Sequence, residues 1–357
     1  MMRFWLAAGV FIALGVCSGC WQTPSRLTTY VALDREFSEP ILRDFEREAK
    51  IRVAAKYDLE STKTVGLVNA ILQERDRPRC DLFWNNEILH TIRLDQLGLL
   101  RKFTPEHAAD VPPMFVSPQG TYYGFAARAR VLLVNTTLVK ENELPQSIRD
   151  LIDPKWRGKV GIAKPLFGTT ATHAAVLWHT WGEEQAEAFF TQLREQAQIL
   201  GGNKRVAEAV GQGELAFGLT DTDDALIELE AGRPVRIVFP DQQPDGLGTL
   251  LIPNTVCLLK NSPNPAAAES LVNRILSSPT EAQLAASSSG QIPLLAVPGK
   301  KPVSRVLPTE EVRWQKADYV QAAAVWETAA NWLTLFPNPG RVGWTATPFA
   351  VRFKNGG

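Results

Sequence analysis

Residues 27–57 read LTTYVALDREFSEPILRDFEREAKIRVAAKY. The first six residues are of types common in strands, and Ile51–Tyr57 predicts a second strand. Between the two, apolar side chains recur at the spacing of one helix face: Phe37, Ile41, Leu42, Phe45 and Ala49. Pro40 is expected in the first turn of this helix, where a missing N–H is tolerated. Strand, helix and strand in this order predict a βαβ unit with parallel strands covered by helices.

The same alternation continues in two series, of which the second begins after Tyr123. The first series adds a helix at Thr64–Arg75 and a strand at Asp81–Trp84. In the second series, strands are predicted at Arg130–Asn135, Lys159–Ala163, Leu215–Leu219 and Val235–Phe239, with helices at Thr170–Trp181, Glu184–Glu195, Lys204–Gln212 and Asp224–Ala231. A strand at Thr249–Leu259 follows, in which Pro253 should mark an edge, a bulge or a bend. Two α/β units joined by extended segments predict two lobes with a ligand cleft between them.

The composition is that of a soluble globular protein. The chain has 357 residues, 38 Lys and Arg against 38 Asp and Glu, and 45% hydrophobic residues. This length allows two domains, each with its own core. The neutral charge argues against a nucleic-acid partner, which needs a basic excess.

The N-terminus has the pattern of an exported bacterial protein. Arg3 is followed by an uncharged apolar run, Phe4–Val16, which is too short for a membrane span, and then by Cys17-Ser-Gly-Cys20. A cysteine directly after small residues resembles the bacterial lipobox, with Cys20 as the lipidated residue, although Cys17 stands where Leu is usual. We therefore predict a lipoprotein signal peptide over residues 1–19 and a lipidated tether over 20–26; plain secretion and an uncleaved anchor are the alternatives.

The remaining cysteines and the histidines predict no catalytic or metal cluster. Cys80 and Cys257 both lie in apolar runs, so two separate buried thiols are expected, although an exported protein would permit them to pair. His173 and His179 are six residues apart on one predicted helix and therefore point to different faces. No G-x-S-x-G, H-E-x-x-H or Walker sequence is present.

Polar clusters at the carboxyl ends of predicted strands are the candidate binding residues, because ligands of open α/β sheets bind at those ends. These candidates are Asp34; Glu60, Ser61, Thr62 and Lys63; Asn85, Asn86 and Glu87; Gly168, Thr169 and Thr170; and Thr220, Asp221, Asp223 and Asp224. Each cluster is also what a helix N-cap prefers, and the Gly168–Thr170 turn could equally be an anion seat. Arg128 and Arg130 share one face of an extended segment and could bring positive charge to the same site.

Several segments in order resemble the periplasmic solute-binding proteins of ABC importers, in the branch that binds ferric iron. They cover residues 26–295 and include Asp34–Pro40, Asp58–Asn69, Asp81–Ile88, Tyr123–Arg130, Gly158–His173, and Gly202–Gly211 with Gly218–Ala225. The resemblance implies a two-lobed α/β fold, the type II periplasmic-binding-protein fold, which closes over its ligand. We expect lobe 1 at 27–125 and 249–299, lobe 2 at 126–248, and a helical cap with a tail at 300–357, its helix at Val312–Leu335.

The resemblance also implies where the ligand would bind. Ferric-binding relatives use two adjacent tyrosines, a histidine and a glutamate; Asp221-Thr222-Asp223 stands at the tyrosine position, Asp34 at the histidine position, and Glu60 matches the glutamate. Carboxylates, like phenolates, are hard ligands that suit Fe³⁺, so Asp34, Glu60, Asp221, Asp223 and Asp224 form the candidate metal set. Asn203 lies in another of the matching segments and joins the ligand-binding candidates.

The leading hypothesis is a lipid-anchored binding subunit, without catalysis, that takes ferric iron to a permease and its ATPase. The alternative cargo is a small organic anion such as a phosphonate or carboxylate, for which Lys63, Arg128 and Gly168–Thr170 would supply positive charge; a metal and an anion could also bind together. A metal-dependent hydrolase at Asp221–Asp224 and a sensor are the other function classes. We expect a monomer on the outer face of the bacterial cytoplasmic membrane or in the periplasm.

Overall fold

A computed structural model of the chain describes residues 26–58, 64–295, 304–308 and 311–336. The predicted signal peptide, Cys20 and the candidates Glu60, Ser61, Thr62 and Lys63 lie outside these residues. Within the described ranges, no helix combines the length and apolar character that a membrane span requires.

Strands and helices alternate through most of the described chain. The strands are β1 (Arg26–Val31), β2 (Arg52–Tyr57), β3 (Leu82–Asn85), β4 (Leu100–Arg101), β5 (Tyr122–Asn135), β6 (Val160–Ala163), β7 (Gln198–Leu200), β8 (Phe217–Asp221), β9 (Val235–Val238) and β10 (Leu251–Leu259). The helices are α1 (Arg35–Ala49), α2 (Val65–Gln73), α3 (Leu89–Gln96), α4 (Gly168–Trp181), α5 (Glu183–Gln196), α6 (Asn203–Gly211), α7 (Thr222–Glu230), α8 (Pro265–Ile275), α9 (Ser278–Ala286) and α10 (Tyr319–Leu333).

One continuous sheet passes through both halves of the molecule, in the order β2-β1-β3-β10-β5-β8-β6-β7. The long strand β5 joins the halves: residues 122–129 pair with β10, and residues 130–134 pair with β8. We call the part around β1, β2, β3, β4 and β10 lobe 1, and the part around β6, β7, β8 and β9 lobe 2. The pairing partner of β5 changes between Ala129 and Arg130, four residues after the predicted boundary at 125/126, which stays a prediction.

The mixed direction of the strands agrees with the predicted α/β class. Strand β1 runs parallel to β2 and β3, and β6 runs parallel to β7 and β8, as βαβ units require. Strands β5 and β10 run antiparallel to their neighbours because they carry the chain from one lobe to the other and back. Both are buried along their whole length, so the crossing strands form the centre of the core.

Two local predictions about proline had different outcomes. Pro253 was expected at an irregularity, and the pairing register of β10 with β5 shifts between Pro253 and Asn254. Pro40 was expected in the first turn of α1, which is wrong, because the helix begins at Arg35 and passes through Pro40 in its second turn. The apolar face made by Phe37, Ile41 and Phe45 is buried, and this burial holds the helix together across the missing N–H.

Other element boundaries also differ from the prediction. Strand β5 begins eight residues before the predicted Arg130, and its first half is buried in lobe 1 although it contains Arg128 and Gly124, which weaken the strand pattern in the sequence. Strand β7 was not predicted, because three residues give too short a pattern. Cys80 and Cys257 are both buried and free, as expected.

Helix α10 contacts both lobes. It packs against α3 of lobe 1 and α4 of lobe 2. Helix α10 is shorter than the predicted helix at Val312–Leu335, because residues 311–318 are not helical. In that segment, Trp314 forms a bridge with Thr249, so the segment follows the connection that leads into β10.

Candidate functional site

A polar cleft lies where the ends of β1 and β3 in lobe 1 face β6, β8 and the first turns of α4, α6 and α7 in lobe 2. Its walls are lined by Asp34, Asn86, Arg128, Ala163, Lys164, Phe167, Gly168, Thr169, Thr170, Gly201, Gly202, Asn203, Asp221, Asp223 and Asp224. Strands of an open α/β sheet direct their following loops to one edge, which is why residues so far apart in sequence meet here. Side chains of both lobes thus face one space.

Arg130 and Asp221 form a fully buried ion pair at the base of this cleft, which we call the inner pair. They stand opposite each other in the β5–β8 ladder, with Arg130 Nη1 at 2.7 Å from Asp221 Oδ1. The other carboxylate oxygen of Asp221 accepts from Thr169 Oγ1 at 2.5 Å and from Asn203 Nδ2 at 2.9 Å. Both oxygens of Asp221 are therefore engaged, and Asp221 holds α4 and α6 against the sheet.

Arg128 and Asp223 form a second ion pair on the same side of β5, which we call the outer pair. Arg128 Nη1 lies 3.4 Å from Asp223 Oδ2, and the Arg128 side chain is only 4% exposed. Its Nε and Nη2 atoms are buried and have no hydrogen-bond partner among the residues that the structure describes. Burial alone would lower the pKa of Arg128, but the carboxylates of Asp223 and Asp221 outweigh it and raise that pKa. Arg128 therefore stays charged with two donors unused.

Three aspartates bring their carboxylates together beside Arg128. One oxygen from each of Asp221, Asp223 and Asp224 lies within 4.8 Å of the others. Asp34 lines the same cleft from lobe 1, at the N-terminus of α1. Lys164 completes the charged wall, and burial lowers its pKa. The cleft thus presents acidic and basic groups side by side, so both a hard cation and an anion would find partners.

The turn at Gly168, Thr169 and Thr170 belongs to a buried hydrogen-bond network. The sequence suggested a helix N-cap or an anion site for this turn and did not suggest the network. Helix α4 has Phe167 at its N-cap, and no side chain caps it. The hydroxyls of Thr169 and Thr170 join Arg130, Asp221 and Asn203 in one buried network. Gly168 has a φ of +53°, a conformation that glycine adopts without strain. The first turn of α4 lines the cleft, and a helix N-terminus favours negative charge.

Asn85 and Glu87 are buried beside the cleft and do not line it. Glu87 is fully buried and accepts hydrogen bonds from Asn85 Nδ2 at 2.8 Å and Thr172 Oγ1 at 2.7 Å. Its carboxylate also lies 3.1 Å from Nδ1 of His90. Burial would raise the pKa of Glu87, yet His90 and these hydrogen bonds lower it, so Glu87 stays ionised. Thr220 also turns inward, where its hydroxyl donates to the carbonyl of Asn203.

Histidine and tyrosine, the other common iron ligands, are absent from the described lining. His173 is 4% exposed and His179 is exposed, so the two point to different faces as predicted. Burial, and secondarily the charge of Arg130, hold the pKa of His173 well below its usual value. The one adjacent tyrosine pair, Tyr122 and Tyr123, is buried at the start of β5 in lobe 1.

Sequence reasoning missed Ala163, Gly201 and Gly202 of the lining, and it also missed two larger side chains, Lys164 and Phe167. Both lie in the loop between β6 and α4, and Lys164 is only 9% exposed. The signal was available, because this loop follows the carboxyl end of a predicted strand, the criterion used for the other clusters. Among the described candidates, the cleft brings together Asp34, Asn86, Arg128, Gly168, Thr169, Thr170, Asn203, Asp221, Asp223 and Asp224.

Comparison with known proteins adds three findings. The sequence model of the bacterial extracellular solute-binding protein family matches residues 91–323. Iron uptake protein A1 of Synechocystis sp. is 26% identical over 330 residues, which cover 85% of this chain and 89% of that protein. Iron-bound HitA from Pseudomonas aeruginosa superposes with a TM-score of 0.78 at 26% identity, covering 87% of this chain and all of HitA.

A further structure of the same fold holds a different ligand. The periplasmic binding protein AfuA from Actinobacillus pleuropneumoniae, with fructose-6-phosphate bound, has a TM-score of 0.74 at 21% identity and covers 86% of this chain and 97% of AfuA. At this identity the likeness shows the fold alone. Together, the comparisons confirm the two-lobed periplasmic-binding-protein fold that the sequence predicted.

Proposed function

Because the chain belongs to the bacterial extracellular solute-binding protein family, we propose that it is the substrate-binding subunit of an ABC importer. It would bind its cargo in the cleft, close its lobes around it and deliver it to a permease driven by an ATPase. The observation that carries this proposal is the contribution of charged side chains by both lobes, Asp34 from one and Asp223 and Asp224 from the other. Contacts from both lobes are what make closure favourable.

We propose ferric iron as the cargo. The relatives named above are an iron uptake protein and an iron-bound binding protein. Asp34, Asp223 and Asp224 would be the ligands, joined by Glu60, which lies outside the described residues. Asp221 would mainly hold its neighbours in place and would not coordinate the metal, since both of its oxygens already accept hydrogen bonds. Carboxylate oxygens suit Fe³⁺ as hard ligands, and a site without tyrosine would lack the visible tyrosinate-to-iron absorption.

A small organic anion is the second candidate cargo, favoured by the unused Nε and Nη2 donors of Arg128. A phosphate or carboxylate group would accept both in a bidentate, charge-assisted contact. Lys164 and the N-terminus of α4 would add positive potential at the same place. The fructose-6-phosphate bound by AfuA illustrates that this fold can hold such a ligand. Metal and anion could also occupy the cleft together.

One experiment separates the candidates. The protein is recovered from its own exported compartment and weighed by native mass spectrometry, and thermal shifts are then measured with ferric citrate, divalent metals, phosphate and fructose-6-phosphate. A ligand at one hundred times its dissociation constant stabilises by about 2.7 kcal/mol, which is easily measured. With iron as cargo, Asp223→Ala loses more binding than Arg128→Ala; with an anion, the order reverses.

The control is Asp245→Ala, which removes an exposed carboxylate elsewhere and should bind like the natural protein. Because the citrate of the ferric probe is itself an anion, sodium citrate alone serves as the blank. Binding as strong as that of the natural protein by both Asp223→Ala and Arg128→Ala would contradict the assignment of this cleft, whereas an equal loss in both would indicate that metal and anion bind together. Failure of every probe to bind would contradict both cargo proposals.

We also propose that the protein is exported and anchored by a lipid on Cys20, on the sequence pattern described above. Cys20→Ser should move the protein from the membrane fraction to the soluble exported fraction without changing its melting temperature, because Cys20 precedes the folded residues. Retention of the variant in the membrane fraction would contradict the anchor. The family consists of solute-binding proteins, so we propose no catalytic activity.

A further inference from the structure

Around helix α3, three described side-chain contacts connect the lobes through residues that do not line the cleft. Glu87 of lobe 1 accepts a hydrogen bond from Thr172 of α4 in lobe 2. Helix α3 contacts α10 through His90 and Trp326, whose ring centroids are 6.0 Å apart, and through an ion pair of 3.8 Å between Arg93 and Glu327. All three contacts originate in the short stretch from Glu87 to Arg93, directly after the cleft residue Asn86.

The two ends of α10 are attached to different lobes by contacts of different strength. Its C-terminal end packs Trp332 against Trp178 of lobe 2, with ring centroids 5.5 Å apart, and Phe336 follows against Phe190. This is an aromatic cluster with large buried area. At the N-terminal end of α10, the buried Tyr319 packs against Phe115 of lobe 1, with ring centroids 6.0 Å apart, and its hydroxyl donates to the carbonyl of Leu251. Between α10 and α3, the described side-chain contacts are one ring edge and one ion pair in which Glu327 is 67% exposed, and such pairs contribute little. Helix α10 is therefore attached to both lobes, and its side-chain contacts with α3 are the weakest part of that attachment.

The Glu87–Thr172 hydrogen bond is the strongest of the three contacts. Thr172 is 1% exposed and Glu87 fully buried, and the 2.7 Å bond is made to an ionised carboxylate. Hydrogen bonds to charged groups are worth more than neutral ones. The remaining partners of Glu87 are all in lobe 1. Among the hydrogen bonds of Glu87, the bond from Thr172 is therefore the one that lobe opening would break.

We infer that Glu87–Thr172, together with the α3–α10 contact, forms an inter-lobe latch that holds the lobes together before cargo arrives. The latch rests on the proposed function only in requiring that the lobes move. When only the closed state binds tightly, the apparent dissociation constant equals the intrinsic one divided by the closed fraction. The latch thus sets affinity for the cargo without touching it.

The test is Thr172→Val, which removes the hydroxyl and keeps the shape. Spin labels are placed at Glu48→Cys in α1 and Gln185→Cys in α5, both exposed and on different lobes, and the distance between them is measured without ligand. We expect a second population at a different distance, and binding of ferric citrate weakened about tenfold. Thr172→Ser keeps the donor and should behave like the natural protein.

A matched control separates the latch from ordinary loss of a buried hydroxyl. Thr280 is fully buried and donates to the carbonyl of Arg274 within lobe 1. Thr280→Val should lower the melting temperature and leave the label distance unchanged. An unchanged distance in Thr172→Val would overturn the latch and place this bond at the pivot, while the proposed function would stand if the natural protein still changed its distance on binding. A natural protein that binds without any change in distance would overturn both the latch and lobe closure.

Discussion

The inner and outer pairs are two Arg–Asp contacts on one side of the same strand, and they differ in how completely they are satisfied. Arg130 and Asp221 stand opposite each other in the ladder, 2.7 Å apart, and Thr169 and Asn203 take the remaining acceptor capacity of the aspartate. Arg128 and Asp223 would form the next pair on that face, but β8 has ended at Asp221 and α7 has begun at Thr222.

The end of the ladder explains why the outer pair is less completely satisfied than the inner pair. Beyond Asp221 the chain turns into a helix, so the Arg128–Asp223 distance widens to 3.4 Å and two guanidinium nitrogens have no partner. In the inner pair, Nε is the only guanidinium nitrogen of Arg130 that has no hydrogen-bond partner among the described residues. The inner pair is completed by other side chains of the protein, whereas the outer pair keeps guanidinium nitrogens for which we propose a ligand.

Removing the charge of Asp221 should have the largest effect on stability. Asp221→Asn leaves the fully buried Arg130 without its counter-ion, and breaking such a pair costs about 3–5 kcal/mol of unfolding free energy. Urea unfolding measures this loss, with Asp223→Asn as the matched change in the outer pair. If both variants lost the same free energy, the two pairs would not differ as described.

The surroundings of the inner pair should give a pH dependence that the outer pair lacks. The pKa of His173 is held well below 6.5 by burial and then by Arg130, so the unfolded chain binds the proton more readily than the folded protein. The contribution of His173 to the free energy of unfolding is therefore fully present above pH 6.5. Below pH 6.5 the free energy of unfolding falls by up to about 1.4 kcal/mol per pH unit.

His173→Gln tests this expectation, since it should flatten the fall between pH 6.5 and pH 5 in urea unfolding. Glu87, whose pKa is lowered, contributes a loss only at still more acidic pH. Arg128→Gln serves as the control and should keep the full slope. A slope unaffected by His173→Gln would assign the acid sensitivity to another group.

Of these variants, Arg128→Gln in the outer pair should change the free energy of unfolding least. Arg128→Gln removes two unsatisfied donors along with the charge, and cleft water can solvate Asp223, so we expect a change of about 1 kcal/mol or less. Urea unfolding without ligand measures it. A loss as large as that of Asp221→Asn would make the outer pair structural as well.

Much of the fold was predictable, because strand and helix patterns are local. The apolar positions of α1, the βαβ order and the proline irregularity in β10 were all present in short windows of sequence. The extent of β5 and the role of α10 were not, since both elements are shared by two lobes and neither has a local signal for that. The signal peptide, the lipid anchor and Glu60 lie outside the described residues and stay predictions.

By itself, the sequence determined most of the described polar residues that gather at the cleft, because carboxyl ends of parallel strands meet at one edge and each cluster follows such a strand. Only the tertiary structure decided which of them are already engaged. Arg130 and Asp221 are 91 residues apart, and their contact depends on the antiparallel register of β5 and β8. No short window contains that register, since it is set by burial across the whole sheet. For the same reason, Glu87 looks like a ligand in sequence and lies against Thr172 of the other lobe in the structure.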